Sequence, residues 1–243
     1  MGFIQNIRDE IAIIRERDPA IHSSMEVFLY PSFKVMILYR MAHKQYEKGH
    51  YFRARWISQR AARKTGIEIH PGAVIGRRCF IDHGMGVIIG ETAEVGDDVT
   101  IYQGVTLGGT GKDTGKRHPT IGNRVVIASG AKVLGPFTVG DDVKIGSGSV
   151  VLKEVPSGCT VVGIPGTIVR RYGKSTTQDM NQVDLPDPVA VEIECLRRRI
   201  VQLEDIIRKM NFAGAPSHEE IAAAGSCQPC AEECREDRKD ENL

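Results

Sequence analysis

Two histidines lie in short motifs that suit proton-transfer chemistry. His83 sits in "IDHGMG" beside Asp82, and His118 follows Arg117 in "RHP". An imidazole titrates near neutral pH and can take the proton of a hydroxyl group, which contributes roughly 10²- to 10⁴-fold in rate. An arginine nearby could clamp a carboxylate substrate. His83 and His118 are therefore candidate catalytic residues.

A carboxylate that fixes the tautomer of the base should come from a neighbouring turn of the chain. Asp82 adjoins His83, but successive side chains on a strand point to opposite faces. Glu68 lies 15 residues before His83, close to one turn of the repeat described below. We therefore expect Glu68 to orient the base.

The run "GGTGKDTGKRHP" at 108–119 is rich in glycine and lysine, as phosphate-binding loops are. In a P-loop the Gly-Lys pair has a glycine five residues earlier and is followed by Ser or Thr. Here Thr106 and Asp113 occupy those two positions. The pattern therefore excludes a P-loop, and the run is expected to be a loop with another role.

Composition narrows the class of protein. The 243 residues are 41% apolar and 26% charged, which is typical of a globular chain, and a net charge of +1 gives no reason to expect nucleic acid or an anionic membrane as a partner. No aliphatic run approaches the roughly 20 residues that span a bilayer, and the N-terminus has no secretory signal pattern. Six unevenly spaced cysteines fit a reducing compartment, so the predicted location is the cytoplasm.

Aliphatic residues recur every six positions through the middle of the chain. The register slips by two residues after Val87, and a gap of 14 residues separates Leu107 from Ile121. Six-residue units predict a short strand and a turn each, with three units per coil of a triangular parallel β-helix. Strands of a sandwich would recur at roughly 8 to 12 residues without a fixed phase. The anchors are Ile69, Ile75, Ile81, Val87, Ile89, Val95, Ile101, Leu107, Ile121, Ile127, Val133, Val139, Ile145 and Val151.

The pattern also predicts the domain organisation. We expect an N-terminal helical domain at 1–66, the β-helix at 67–171, a polar linker at 172–188, a heptad helix at 189–212 and a polar, disordered tail at 213–243. The 14-residue gap predicts a loop extruded from the prism. Cys227, Cys230 and Cys234 have metal-like spacing but no fourth ligand, so no metal is expected. The heptad positions are Val189, Ile193, Leu196, Ile200, Leu203, Ile207 and Met210.

Six segments together resemble the serine O-acetyltransferases of cysteine biosynthesis, within the hexapeptide-repeat acyltransferases. The resemblance covers about two-thirds of the chain. It implies a left-handed parallel β-helix that forms a homotrimer or a dimer of trimers, with active sites between subunits. It also implies L-serine and acetyl-CoA as substrates and no tightly bound cofactor. The segments are "RDPA", "IHPGAVIG", "IDHGMGVIIGETA", "VTLGGTGK", "RHP" and "VVGIPGTIVRR".

The resemblance assigns roles to the residues that bind serine. His83 would be the general base on the serine hydroxyl, and Arg117 and His118 would hold the substrate, with Arg117 on its carboxylate. Asp82 and Asp18 would receive the ammonium group.

The same resemblance assigns the remaining site residues. Glu68 stands where the family has Asp, one methylene shorter. Gly109, Ser129 and Ser147 align with the CoA groove, and Arg170 and Arg171 would meet the CoA phosphates.

The chain departs from the family in two places. Its helical cap is shorter than in enterobacterial forms, where the cap joins two trimers, and we expect the heptad seam to pair tails between trimers instead. The family tail that docks into O-acetylserine sulfhydrylase ends in Ile, whereas this chain ends in Leu243, which weakens the expectation of that partner.

Three other functions stay open from the sequence. They are a γ-type carbonic anhydrase with zinc on three histidines, a non-catalytic hexapeptide scaffold, and a sugar or antibiotic O-acetyltransferase.

Overall fold

The computed structural model describes residues 3–109, 111, 114–170 and 188–213. The predicted linker and tail, with Cys227, Cys230 and Cys234, lie outside these residues apart from the ends of the last helix. Contacts divide the chain into two units, Met1–Pro186 and Asp187–Leu243. The predicted helical domain and β-helix thus belong to one unit.

Three α-helices precede the strands. They are α1 (Phe3–Arg17), α2 (Pro31–Glu47) and α3 (Tyr51–Thr65), with a short 3-10 helix (Glu26–Leu29) between the first two. Pro31 opens α2, where the missing N–H costs no hydrogen bond. Gly66 ends α3 in the left-handed conformation that glycine adopts without strain.

Short strands then form a three-sided parallel β-helix. From β1 to β13, strands three places apart in the chain pair with each other, and β14 and β15 extend the third sheet. The sheets have the order β1-β4-β7-β10-β13, β2-β5-β8-β11 and β3-β6-β9-β12-β14-β15, and only the β14–β15 pair among the described strands is antiparallel. This confirms the predicted β-helix and contradicts a sandwich. The strands are β1 (Glu68–Ile69), β2 (Val74–Ile75), β3 (Phe80–Ile81), β4 (Ile88–Ile89), β5 (Glu94–Val95), β6 (Thr100–Ile101), β7 (Thr106–Gly108), β8 (Thr120–Ile121), β9 (Val126–Ile127), β10 (Lys132–Leu134), β11 (Thr138–Val139), β12 (Lys144–Ile145), β13 (Val150–Val151), β14 (Thr160–Val162) and β15 (Thr167–Arg170).

The six-residue anchors fill the interior of the prism. All fourteen are buried in one continuous apolar cluster, and burying each such side chain contributes about 1.5–3 kcal/mol. Glycine follows many anchors because successive coils touch there. A Cβ on Gly76 would lie 2.6 Å from the carbonyl oxygen of Gly96 in the next coil.

Two interruptions break the repeat. Ile88 pairs with Thr106, 18 positions later, which is the regular step. Glu68 pairs with Ile88 over 20 positions, so two extra residues lie in the turn that carries His83. Thr106 pairs with Lys132 over 26 positions, so eight extra residues lie in the loop between β7 and β8. This confirms the predicted slip and the predicted extruded loop.

The helical segment is fixed to the prism by an outward-facing aromatic residue. Phe80 of β3 is buried against Ile13 and Ile14 of α1. At the end of α1, Arg17 donates hydrogen bonds to the side chain of Thr100 and the backbone of the same coil. These contacts place the residue after α1, Asp18, beside the coils.

One buried carboxyl lowers the stability of the fold above neutral pH. Glu10 is 2% exposed, its Oε2 has no hydrogen-bond partner in the described structure, and its Oε1 lies 3.9 Å from Arg40. Burial raises the pKa of Glu10 to about 7, although the charge of Arg40 opposes the shift. The fold therefore favours the protonated form, and stability falls as pH rises from the unfolded pKa towards the folded one.

We expect Glu10→Gln to stabilise the protein at pH 8 but not at pH 4. The gain at pH 8 should reach about 3 kcal/mol, the free energy that corresponds to the pKa shift. Urea unfolding at the two pH values measures it. Glu154→Gln, at an exposed carboxylate, is the control and should change little. An equal effect of Glu10→Gln at both pH values would contradict this interpretation.

Among the described helices, none is both long and apolar enough to cross a membrane.

Candidate active site

The loop between β7 and β8 returns to the prism at His118, which is only 8% exposed. The hydroxyl of Thr92 lies 2.9 Å from His118 Nδ1 and accepts the backbone N–H groups of Arg117, at 3.0 Å, and of His118, at 3.1 Å. The backbone N–H of Thr92 also donates to Nδ1, at 3.2 Å. One threonine therefore fixes both the loop and the ring.

These contacts determine the tautomer of His118. A backbone N–H can only donate, so Nδ1 must accept, and the neutral ring then carries its proton on Nε2. Burial, with a further contribution from Arg117, lowers the pKa of His118 and keeps the ring neutral. His118 is thus arranged to donate a hydrogen bond through Nε2–H.

Two glycines leave room for the ring of His118. A Cβ on Gly90 would overlap the imidazole itself. A Cβ on Gly109 would lie 3.3 Å from His118 Nε2 and 3.0 Å from the carbonyl oxygen of Arg117. Gly109, a predicted CoA-binding residue, therefore lies at the donor end of the ring.

Arg117 is held by a carboxylate that the sequence did not single out. Its guanidinium donates a hydrogen bond of 2.5 Å to Glu91, whose other oxygen accepts the hydroxyl of Tyr46 at 2.9 Å. These two hydrogen bonds lower the pKa of Glu91. A cavity of about 410 Å³ borders the same carboxylate. Its lining residues are Tyr46, Tyr51, Arg55, His70, Pro71 and Glu91.

Glu91 and Thr92 were visible in the sequence as part of "GETA" but carried no signal of their role. They contact residues about 25 positions away, in a loop that departs from the repeat. The six-residue period therefore could not pair them with Arg117 and His118.

A second group of predicted residues meets at the turn between β3 and β4. His83 is exposed, with a φ of 54°, and Asp82 is half-buried. Asp18 accepts the hydroxyl of Tyr30 at 2.6 Å and the backbone N–H of Ala20 at 2.8 Å. The charge of Asp18 also acts on Asp82, so Asp18 lies on the side of the prism that carries Asp82 and His83.

The charges of this group interact. Burial raises the pKa of Asp82, the charge of His83 opposes the shift, and the charge of Asp18 adds to it. The hydrogen bond to Asp18 raises the pKa of Tyr30 to about 12, so Tyr30 stays a neutral donor. Two neighbouring carboxylates attract a cation. Tyr30, which no motif marked, orients one of them.

The structure does not join Glu68 to His83. The backbone N–H of Gly86 donates to Gly66, and that of Glu68 to Val87, both at 2.8 Å, so the two segments run side by side. The carboxylate of Glu68, however, lies 3.7 Å from Arg55 of α3. Among the described residues, no hydrogen bond links Glu68 to His83. The longer side chain of glutamate reaches Arg55 instead, and both side chains of this ion pair are about half exposed.

The predicted CoA-binding serines lie on the same edge of the prism as His83, in later coils. Gly104 donates to Met85 at 2.9 Å, Gly130 to Gln103 at 2.8 Å, and Gly148 to Ser129 at 2.8 Å. Ser129 and Ser147 therefore lie on this edge, two and three coils beyond His83. Arg170 ends β15, and Arg171 lies outside the described residues.

His83 and His118 lie at opposite edges of one sheet. His83 precedes β4 and His118 follows β7, two neighbouring strands of the sheet β1-β4-β7-β10-β13. A face of six extended residues is up to about 20 Å wide. This width is several times the length of a small substrate, so one substrate molecule cannot contact both histidines of the same chain. Each chain therefore presents two half-sites. One holds Arg117 and His118, and the other holds Asp18, Asp82 and His83.

Comparison with known proteins supports one family. A model described as "Bacterial transferase hexapeptide (six repeats)" matches residues 118–153. The serine acetyltransferase of Bacillus subtilis (strain 168) is 54% identical over 203 residues, covering 83% of this chain and 94% of the relative.

Solved structures of serine acetyltransferases also resemble the chain. The serine acetyltransferase of Vibrio cholerae O1 biovar El Tor is 41% identical with a TM-score of 0.72, over 74% of this chain and 71% of that one. The serine acetyltransferase of Brucella abortus strain S19 in complex with coenzyme A is 42% identical with a TM-score of 0.68, over 70% and 69%. Together with the parallel sheets, they support the left-handed β-helix and disfavour the carbonic anhydrase and scaffold alternatives. The chain belongs to the serine acetyltransferase family.

Proposed function

We propose that the protein transfers the acetyl group of acetyl-CoA to the hydroxyl of L-serine at sites shared between two copies of the chain. The observation that carries this proposal is the division of the site into half-sites at opposite edges of one sheet. One half-site offers a cation and a neutral donor, and the other offers two carboxylates and an exposed imidazole. Their charges complement the two ends of a zwitterionic amino acid.

Serine fits between the half-sites in one orientation. Its carboxylate binds Arg117, which Glu91 holds in place. Its ammonium group lies between Asp18 and Asp82 of the other copy. The hydroxyl then faces His83. Each group of the substrate thus meets a residue of the opposite charge or of matching hydrogen-bond character.

The chemical step moves one proton and one acetyl group. His83 takes the hydroxyl proton as the oxygen attacks the thioester carbonyl, and the Nε2–H of His118 donates to a substrate oxygen. The tetrahedral intermediate expels the CoA sulfur, which takes the proton back from His83. The products are O-acetylserine and CoA.

Acetyl-CoA binds along the edge of Ser129 and Ser147, opposite Gly109 of the other copy, with Arg170 and Arg171 towards its phosphates. Glu68 orients His83 after the carboxylate of Glu68 turns away from Arg55.

The assembly that satisfies every half-site is a closed ring. Each copy gives one edge to each neighbour, so the interface is heterologous and closes into a ring. The proposed ring has three copies, as the family resemblance implies. The cytoplasm is the proposed location, because the unevenly spaced cysteines fit a reducing compartment.

Release of free thiol from acetyl-CoA with a panel of hydroxyl acceptors tests the substrate. L-Serine should be used well above homoserine and a simple sugar, because only serine places its hydroxyl at His83 while both charged ends are bound. If homoserine or a sugar is acetylated as fast as serine, the proposed substrate is wrong.

A further inference from the structure

Five large apolar side chains form an exposed stripe along α4 (Pro188–Ala213). They recur at alternating steps of three and four and are between 45% and 56% exposed. A helix with such a stripe gains most of its stability by burying it against another element. The five residues are Ile193, Leu196, Ile200, Leu203 and Ile207.

We propose that α4 pairs with α4 of a second copy of this chain as a parallel, two-stranded coiled coil. Ile193, Ile200 and Ile207 occupy the a positions of the heptad, and Leu196 and Leu203 the d positions. β-Branched residues at a combined with leucine at d favour two parallel strands over three or four.

The charges beside the stripe are compatible with the same arrangement. In a parallel pair each g residue faces the following e residue of the partner helix. Glu192 then faces Arg197, and Arg199 faces Glu204, so both kinds of contact are attractive. An antiparallel pair, in which e faces e and g faces g, would instead bring together Arg197 with Glu204 and Glu192 with Arg199. The charge-exchange variants described below distinguish the two directions.

These four charged residues are available for such contacts. All of them are exposed, and none forms an ion pair within the described part of the chain. An ion pair in the described part of α4 joins Arg198 to Glu194 at 3.3 Å, on the face away from the stripe.

The number of strands has a consequence for the whole particle, and this step rests on the proposed three-copy ring. Three helices cannot all pair in twos, so full pairing requires an even number of chains. Two rings joined by three coils satisfy it. Three heptads are marginal alone, but three coils between the same two rings act together at high effective concentration.

Light scattering on the full-length protein tests the pairing. We expect Ile200→Lys, which puts a charge in the seam, to halve the particle mass. Val201→Lys is the matched control because Val201 is the next residue, is 58% exposed and lies outside the seam. The control should keep the wild-type mass. An unchanged mass in Ile200→Lys would overturn the proposal.

Charge exchange tests the direction of the pair. Glu204→Arg should lower the particle mass, because Arg199 of one helix then faces an arginine of the other. Adding Arg199→Glu should restore the mass. Restoration by Arg197→Glu instead would show an antiparallel pair and contradict the parallel arrangement.

Different measurements would contradict the coiled coil and the three-copy ring. The ratio of the wild-type mass to the Ile200→Lys mass tests the coiled coil, whatever the size of the ring. The absolute mass of Ile200→Lys tests the ring of three. Acetyl transfer to serine should persist in Ile200→Lys, since both half-sites lie outside α4.

Discussion

His83→Ala should lower kcat for serine acetylation by roughly 10²- to 10⁴-fold, the usual contribution of a general base. His83 is exposed at the turn between β3 and β4 and has two carboxylates beside it, so it is the imidazole that can reach the serine hydroxyl. The KM for serine should change less, because Arg117 and the carboxylates still bind its charged ends.

Thiol release at saturating serine measures the effect. His22→Ala, at an exposed histidine of the helical segment, is the control and should keep wild-type turnover. If His83→Ala acetylates serine as fast as the wild type, His83 is not the general base.

Gly90→Ala should lower kcat/KM about 100-fold while the protein stays folded. The added methyl group overlaps the ring of His118, and the ring is the side chain that must move. A displacement of about 1 Å in a positioning group can cost 10²-fold in rate. Gly90 has no left-handed φ, so the backbone accepts alanine.

Gly96→Ala is the informative comparison because Gly96 has the same place in the next six-residue unit. Its added Cβ would lie 2.7 Å from the backbone oxygen of Gly122 in the following coil. We therefore expect Gly96→Ala to lower the unfolding temperature as well as activity, and Gly90→Ala to lower activity alone. A fall in unfolding temperature in Gly90→Ala as large as in Gly96→Ala would contradict the assignment.

The six-residue period made most of the fold predictable. Each anchor such as Ile101 or Ile127 must face the interior. The regular period then places the anchors of successive coils on top of one another. The two breaks in the period also marked the functional turns, since His83 and His118 lie where the repeat is interrupted. Functional loops on a rigid solenoid are expected to sit at such breaks.

Side-chain partners were less predictable because they cross between elements. The spacing placed Glu68 in the coil before His83, but it could not show that Arg55 of α3 takes its carboxylate. Tyr30 donates to Asp18 at the end of α1, a helix that packs against Phe80 of the prism. Such contacts depend on how the helices pack, which no local pattern records.

The central claim is that a complete site needs His83 of one copy and His118 of its neighbour. Mixing His83→Ala and His118→Ala chains in equal amounts, after dissociation and reassembly, tests it most directly. Random rings of three would hold about a quarter of the sites intact, so the mixture should recover about a quarter of wild-type activity. If the mixture is no more active than its two parent variants, each site lies within a single chain and the claim is contradicted.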